Sequence, residues 1–544
     1  MRSENPRIVF INRLNSLSKA LLVISSCLNL ITVSDAAETT FFTADSSVIA
    51  AYTLVTPSTE SKSALITRAI LPSGIGCPSL KVKIGSTYKH VTMTERTVPA
   101  NTFSAFNNLA VCEALMPKGA LSARVGDQAV PARMAPIVTR LGVFGDTGCR
   151  MKKTLDQDCD VPSEWPLSRI ANSLLQQKPQ LVLFMGDFFY REYICDPAKT
   201  LTCGTSPSPL DINFEYNSVT NPFPKYVFSD SDYAWTADVF IPMKPILSSV
   251  PIVVVRGNHE SCQRGGNGFF KFFDPHLGNG QLCAPQPKTD PSGTQIVVNG
   301  HPQWKTAGAL LTDSWSTSFK VGPSRYLRLS IVDSAYGFDY EVDPQLYPAL
   351  RSQYQRAAEL ASPTNRIKGK VPESWLMVHQ PLFGLDCAPD TISIDGKNLF
   401  GDQCKWVSET QTAGAYNLLS NFNLVLSSHI HLAQSVQIPG QPGQLVIGDG
   451  GSKLQEIGVP YPSSLQYGPL QYPNGNPIAN LPAGVSPYPV PTSIWTDRRF
   501  GYAIARPERS TGVWSWSHFN PAGELFAECA QSGTTIQCRS LVTQ

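Results

Sequence analysis

The sequence predicts an α/β protein built on parallel strands, with an all-β region in front of it. Three observations carry this. Short apolar runs recur through the second part of the chain, each ending abruptly at polar residues, as buried parallel strands do. A stretch with helical spacing separates the first two of them. Upstream, residues 39 to about 135 alternate β-rich runs with turns at intervals of roughly ten residues, the pattern of an antiparallel sandwich.

The chain has 544 residues, enough for more than one domain. Residues 1–36 read as a secretory signal peptide. Arg7, Arg13 and Lys19 precede the apolar run Ala20 to Thr32, which falls short of the ~20 residues that span a bilayer. Small residues then stand at the −3 and −1 positions before Ala37. Lipoprotein cleavage before Cys27 is a minor alternative. The expected location is therefore secreted or periplasmic, and no later apolar run reaches membrane-spanning length. Of 13 cysteines, Cys27 lies in this leader, and the remaining even number in an exported chain reads as disulfides. Neighbour pairing would give Cys77–Cys112, Cys149–Cys159, Cys195–Cys203, Cys262–Cys283, Cys387–Cys404 and Cys529–Cys538, although sequence alone does not settle connectivity.

Residues 37–135 form the expected β-sandwich, with runs such as SVIAAYTLV, SALITRAIL and SLKVKI and no catalytic cluster. From 136 to 544 the pattern turns to strand, helix, strand. Leu141–Phe144 runs into Gly145-Asp146-Thr147-Gly148. Apolar residues at 167, 170, 171, 174 and 175 predict a helix over Trp165 to Gln177. Leu181–Met185 runs into Gly186-Asp187, with Tyr190 three places on; Ile252–Val255 runs into Arg256-Gly257-Asn258-His259-Glu260. Ser374–Val378 ends at His379-Gln380, and Asn423–Leu426 at Ser427-Ser428-His429-Ile430-His431. Helical spacing also fits 346–360 and 409–419. Residues 196–230, 278–308 and 458–492 read as insertions; the last holds nine prolines and is either a rigid surface excursion or a lid.

In open α/β sheets, ligands bind at the carboxyl ends of strands. Five such ends in succession carry Asp, Asp with Tyr, Asn with His, His, and His-x-His, and four of the chain's 8 histidines fall on them. Oxygen and nitrogen donors of this kind suit hard or borderline metal ions. The net charge of +2 and the lack of a basic stripe exclude an electrostatic footprint for nucleic acid.

The series GDTG, GDFFY, GNHE, VHQ and SHIH resembles the signature of calcineurin-like metallophosphoesterases, and the Tyr of GDFFY resembles the purple acid phosphatase version. Ile447 to Gly451 (IGDGG), and Phe500-Gly501-Tyr502 with Trp514-Ser515-Trp516, are similar to its plant-like branch. The resemblance implies a four-layer α/β/β/α sandwich preceded by a small fibronectin-like β domain. It implies a phosphate-ester hydrolase of acid phosphatase type acting on small-molecule monoesters through two metals. Asp146, Asp187, Tyr190 and His431 would hold Fe(III). Asn258, His379, His429 and the shared Asp187 would hold Fe, Zn or Mn. His259 would bind the phosphate or protonate the leaving group. Arg256 and Arg264 flank its loop and could help hold phosphate, though the role of ordinary surface arginines suits them slightly better. Two further readings stand beside it: a phosphodiesterase on the same site, and a non-catalytic exported metal-binding protein. One departure bears on substrate. The family's further histidine, some ten residues after that of VHQ, is missing here, and Asp386 and Asp390 are the ionisable groups in its segment. That leaves His259 as acid, with His276 or His301 as possible helpers.

Overall fold

The computed structural model describes residues 47–541 apart from 58–63, 99–103, 152–156, 192–229, 263, 279, 281–282, 284–291, 293, 295–296, 299–300, 303–310, 337–345, 387–392, 395–396, 399–404, 407–413, 416, 456–490 and 509–510. The expected leader, the insertions around 196–230 and 458–492, the pairs Cys195–Cys203 and Cys387–Cys404, and most of the helix expected at 409–419 lie outside the described residues.

Two large mixed sheets face each other. The first contains β1 (Ala50–Val55), β2 (Leu65–Pro72), β3 (Leu109–Leu115), β4 (Leu141–Phe144), β5 (Leu181–Phe184) and β6 (Ile252–Val254). The second contains β7 (Trp315–Lys320), β8 (Tyr326–Val332), β9 (Glu373–Val378), β10 (Leu424–Ser427), β11 (Ala433–Gln437), β12 (Gly443–Ile447) and β13 (Ser493–Asp497). The chain then returns to the first sheet as β14 (Tyr502–Pro507), β15 (Trp514–Phe519), β16 (Leu525–Ser532) and β17 (Thr535–Ser540). The first sheet runs β17-β16-β15-β14-β4-β5-β6-β1-β2-β3, ending in the short strand Thr94–Glu95. The second runs β7-β8-β9-β10-β12-β11-β13. Strands β4, β5 and β6 are parallel, as are β8, β9, β10 and β12.

Strand period decides the layers, because alternate side chains point to opposite faces. Leu141, Val143, Leu181, Leu183 and Val253 meet Trp375, Met377, Leu424 and Leu426 between the sheets. Phe144, Val182, Phe184 and Val254 turn outward onto helix α1 (Leu167–Gln176), which supplies Leu167, Ile170, Ala171 and Leu174, and onto α2 (Gly266–Phe272). Leu376, Val378 and Val425 turn outward onto α3 (Tyr347–Leu360) through Leu350, Tyr354 and Ala357. This is the expected α/β/β/α sandwich. α1 lies close to β4 because Gly142 carries no side chain; a Cβ there would stand 3.1 Å from Leu174.

The described part of the N-terminal region is mainly strands, with a 3-10 turn at Ser104–Phe106. Its second sheet, formed by Ser79–Ile84, Thr87–Thr92, Ala120–Val125 and Gln128–Val130, packs on β1–β3 through Ala51, Ala69, Leu80, Val82 and Val125. Its first sheet continues into the catalytic one: β1 pairs in parallel with β6, placing Leu54 opposite Ile252. A buried ion network ties the same two regions. Arg68 and Arg96 bind Glu113, and their guanidinium groups reach carbonyls of α2, at Phe270 and Phe272, and of His276 just after it.

The two motifs similar to the plant-like branch are parts of this scaffold. Trp514 and Trp516 pack on Trp375 between the sheets, with ring centroids 4.5 and 5.4 Å away. The Tyr502 hydroxyl meets Ser173 of α1 at 2.7 Å. Gly450 N–H donates to Gly145 O, and Ser452 N–H to Asp146 O, so the IGDGG loop braces the GDTG loop.

Candidate metal centre

Backbone pairing outlasts the strands. Asp146 N–H donates to Gly186 O (3.0 Å) and Thr147 N–H to Asp187 O (2.9 Å), so the loops after β4 and β5 stay in register. Ser428 N–H donates to His379 O (2.9 Å) and does the same for β9 and β10. Strand neighbours in each sheet therefore deliver their polar endings side by side. Asp146, Asp187 and His429 adopt left-handed backbone, with φ of 55°, 56° and 74°. That conformation is uncommon outside glycine and concentrates at functional sites. Gly257 clears the space for Asp187: a Cβ there would collide with the Asp187 carboxylate and backbone nitrogen.

The eight site residues expected from sequence come together. The Tyr190 hydroxyl lies 2.6 Å from Asp146 Oδ1, 2.7 Å from Asp187 Oδ2 and 2.7 Å from His431 Nε2. The Asn258 side-chain oxygen lies 3.0 Å from His379 Nε2 and 2.8 Å from His429 Nδ1. His379 Nε2 is also 3.1 Å from Asp187 Oδ2, so Asp187 stands between the two groups. Donor atoms of Asp187, His379 and His429 all lie within 4.8 Å of one another, close enough to hold one metal ion. The His259 ring lies tilted against Tyr190, centroids 3.8 Å apart, with Nε2 3.9 Å from Asp187 Oδ2.

The donor set fits cations because it holds more lone pairs than protons. His379 Nδ1 is 2.8 Å from Met185 O, which can only accept, so that nitrogen carries a proton and Nε2 is the one available to a cation. His431 Nδ1 is fixed likewise by Lys453 O at 2.6 Å. Such second partners orient metal-binding imidazoles. A single Tyr190 proton then faces three acceptors, and the Asn258 oxygen faces two imidazole nitrogens. Turning the Asn258 amide over would let its NH2 donate to both rings and its oxygen accept from Arg264 Nη1 at 3.0 Å. The oxygen-inward orientation is the one a cation would stabilise.

Electrostatics follows the same geometry. Burial, reinforced by Asp146 and Asp187, pushes the Tyr190 phenol well above its ordinary range, so its ionisation requires a cation. Burial and then Asp187 push Asp146 up. Burial opposes ionisation of Asp187, yet His379 and His259 hold it well below the usual carboxylate range.

Glu260, which sequence reading passed over, organises the centre from beneath. It is fully buried, and its carboxylate accepts the backbone N–H groups of Asp187 (2.9 Å), Gly257 (3.0 Å), Phe188 (2.8 Å) and Phe189 (3.2 Å). Burial and the adjacent Asp187 push its carboxyl up to about 8, yet four backbone N–H groups occupy its two oxygens and leave no acceptor for a carboxyl proton, so the buried group stands as a carboxylate. Its residue type and place in GNHE were visible, but donors from a loop some seventy residues earlier were not. Arg256 is structural: it is buried, pairs with Asp333 at 3.0 Å and donates to Glu260 O. Arg264 stands beside Asn258. His276 pairs with Asp274 at 2.7 Å, and its carbonyl serves the Arg68–Arg96 network, so among the described residues its partners are remote from the centre. Asp390 lies outside the described residues; for Asp386 and His301 only backbone pairings, with Lys405 and Val298, are described.

Four expected disulfides are formed: Cys77–Cys112, Cys149–Cys159, Cys262–Cys283 and Cys529–Cys538. The second and third follow Asp146 and His259 closely in sequence. Among the described residues no helix is long and apolar enough to cross a membrane.

A sandwich of two mixed sheets with an Asp, Asn, His and Tyr cluster at the ends of its parallel strands is the architecture of a metallophosphoesterase. The calcineurin-like phosphoesterase family model matches residues 139–433, more than half of the chain, and the chain belongs to that family. It is a hydrolase acting on phosphoric esters, and the fold implies divalent metal ions at this centre. Solved structures similar to the chain include the purple acid phosphatase PPD1 from yellow lupin (Lupinus luteus) seeds, with a TM-score of 0.46 and 11% identity over 88% of this chain and 72% of that one. PhoD gives a TM-score of 0.42 and 10% identity over 91% and 92%. No curated protein matches the chain.

Proposed function

We propose that the protein is an exported phosphoesterase of acid phosphatase type, with a binuclear metal centre, that hydrolyses small-molecule phosphate monoesters. The observation that carries this reading is the Tyr190 hydroxyl set among Asp146, Asp187 and His431, on the far side of Asp187 from Asn258, His379 and His429. Asp146, Asp187, Tyr190 and His431 would hold one ion, and Asn258, His379, His429 and Asp187 the other. Fe(III) at the first position suits Tyr190, whose phenol ionises only beside a strongly acidic cation; Fe, Zn or Mn suits the second. Paired ions in such centres supply Lewis acidity toward the phosphoryl group and activate water. The chain's own contribution is orientation and proton management. Asp187 spans both sets because a carboxylate has two oxygens with spare lone pairs. His259, held by its ring contact with Tyr190 and by its backbone N–H donating to Asp187 Oδ1 at 2.8 Å, is placed to pass a proton to the leaving oxygen.

The leader expected at 1–36 and the disulfides support export. Phosphodiester hydrolysis is the second reading, favoured by the lack of histidine among residues 380–390 and by the carboxylates Asp386 and Asp390 there. The test is hydrolysis of p-nitrophenyl phosphate and bis-p-nitrophenyl phosphate, before and after chelation, with the visible spectrum recorded. We expect chelator-sensitive monoester hydrolysis with an acidic optimum and a purple to pink colour that Tyr190→Phe bleaches. A colourless, iron-free and fully active protein would remove the Fe(III) assignment. A diester preference would replace the monoester reading, with Asp386→Ala as control.

A further inference from the structure

We propose that Arg264 is a substrate-binding residue switched on by metal loading: once an ion turns the Asn258 amide, Arg264 and the Asn258 NH2 group together receive a phosphoryl oxygen. The inference rests on the phosphoesterase reading above. The centre is not open on all sides. Asp146, Asp187, Tyr190, His379 and His431 are buried, whereas Asn258, His259 and His429 are partly exposed. A phosphate ester therefore meets the centre on the side of these three residues. Arg264 is partly exposed too, and its Nη1 lies 3.0 Å from the outer atom of the Asn258 amide. The inner atom of that amide lies 3.0 Å from His379 Nε2 and 2.8 Å from His429 Nδ1. One amide thus links the ion's donor set to the guanidinium, at the open side of the centre.

Which amide atom stands at each end decides what Arg264 does. With the oxygen outward, that oxygen accepts from Arg264 Nη1, and the inward NH2 donates to both rings. A cation takes electron pairs only, so it draws the oxygen inward and sends the NH2 outward. Two donors then face each other at 3.0 Å, and neither can satisfy the other. An anionic oxygen beside them accepts from both, and such charge-assisted hydrogen bonds are the strong ones. The contact uses one of the five N–H donors of a guanidinium, so other partners of Arg264 do not conflict with it. The loop fixes where the side chain starts. Arg264 N–H donates to Ser261 O at 2.9 Å and Gly265 N–H to His259 O at 2.7 Å, folding the loop back on itself. A Cβ at Gly265 would stand 3.0 Å from His259 O, so this close turn suits glycine. The Cys262–Cys283 disulfide and the bond from Cys262 N–H to Tyr336 Oη at 2.8 Å secure the same loop. Arg256, the other arginine flanking it, is engaged by Asp333 and Glu260 O.

The experiment has two readouts. Calorimetry measures binding of inorganic phosphate to the metal-loaded protein, and titration of the chelated protein with Zn(II) measures metal affinity in the absence of phosphate. Arg264→Ala should weaken phosphate binding by roughly ten- to a hundredfold, the range of one charge-assisted hydrogen bond. Its Zn(II) affinity should equal or exceed that of wild type, because the variant loses the contact that holds the Asn258 oxygen outward. A residue that only props the loop would lose both together. Arg264→Lys should recover part of the phosphate loss, and Arg264→Gln, which lacks the charge, should recover less. If Arg264→Ala fails to fold, Arg264→Gln carries the same comparison. Phosphate affinity within twofold of wild type in folded variants overturns the proposal while leaving the phosphoesterase reading intact. A fall in Zn(II) affinity alongside the fall in phosphate affinity overturns it as well, and reduces Arg264 to a support of the loop. A wild type that neither binds phosphate nor hydrolyses either p-nitrophenyl ester overturns both the proposal and the reading beneath it.

Discussion

Replacing Glu260 by Gln isolates the scaffold beneath the metal centre. The change preserves shape and removes one acceptor. Oε1 accepts from Phe188 and Phe189, and Oε2 from Asp187 and Gly257. Whichever way the amide is turned, its NH2 confronts two backbone N–H groups that have no water to turn to. Each buried donor left without an acceptor costs about 1–3 kcal/mol, so the variant should lose on the order of 2–6 kcal/mol. A domain of ordinary stability, about 5–15 kcal/mol, survives the smaller loss and is only marginally folded at the larger. The loss falls on the loop that holds Asp187 in left-handed backbone, so metal affinity should fall with stability. Urea unfolding of the metal-loaded and chelated proteins, with metal content measured by mass spectrometry, reads both effects. A Glu260→Gln protein within about 0.5 kcal/mol of wild type, the range of an innocuous surface change, and holding the same metal would refute the reasoning.

Two further outcomes follow from the site and its support. Asn258→Ala should spare an ion bound by Asp146, Tyr190 and His431 and empty the position formed with His379 and His429; equal metal content in variant and wild type would contradict that division. Burial pushes the Asp449 carboxyl up to about 7, so the folded chain keeps this proton while the unfolded chain loses it near 4. Stability should therefore fall as pH rises between those values, by up to about 4 kcal/mol, and Asp449→Asn should abolish that part of the slope. Unfolding curves at about pH 5 and about pH 8 that shift identically for both proteins would exclude the effect.

How much of this centre the sequence discloses depends on the range of the interactions involved. Asp146, Asp187, Tyr190, Asn258, His259, His379, His429 and His431 are legible because they follow five apolar strands, and parallel strands carry their endings to one edge. The two-layer packing is legible for the same reason, since alternation along β5 or β9 is a local property. Partners that meet across the chain leave no such trace. Glu260 reads as a polar turn residue until the loop of Asp187 folds over it. The pairing of β1 with β6 joins residues nearly two hundred positions apart, so the N-terminal sandwich reads as separate although it shares its first sheet with the catalytic region. The left-handed backbone at Asp146, Asp187 and His429 lies between these cases. Asp and His tolerate it better than most residues, so composition permits it without announcing it. What enforces it is tertiary: Gly257 yields its space to Asp187, Gly448 approaches Asp146, and the ladder bonds from Asp146 N–H and Thr147 N–H hold the turns in register. The ligand types are thus written locally, while the angle at which they converge is set by glycines and carbonyls contributed from other strands.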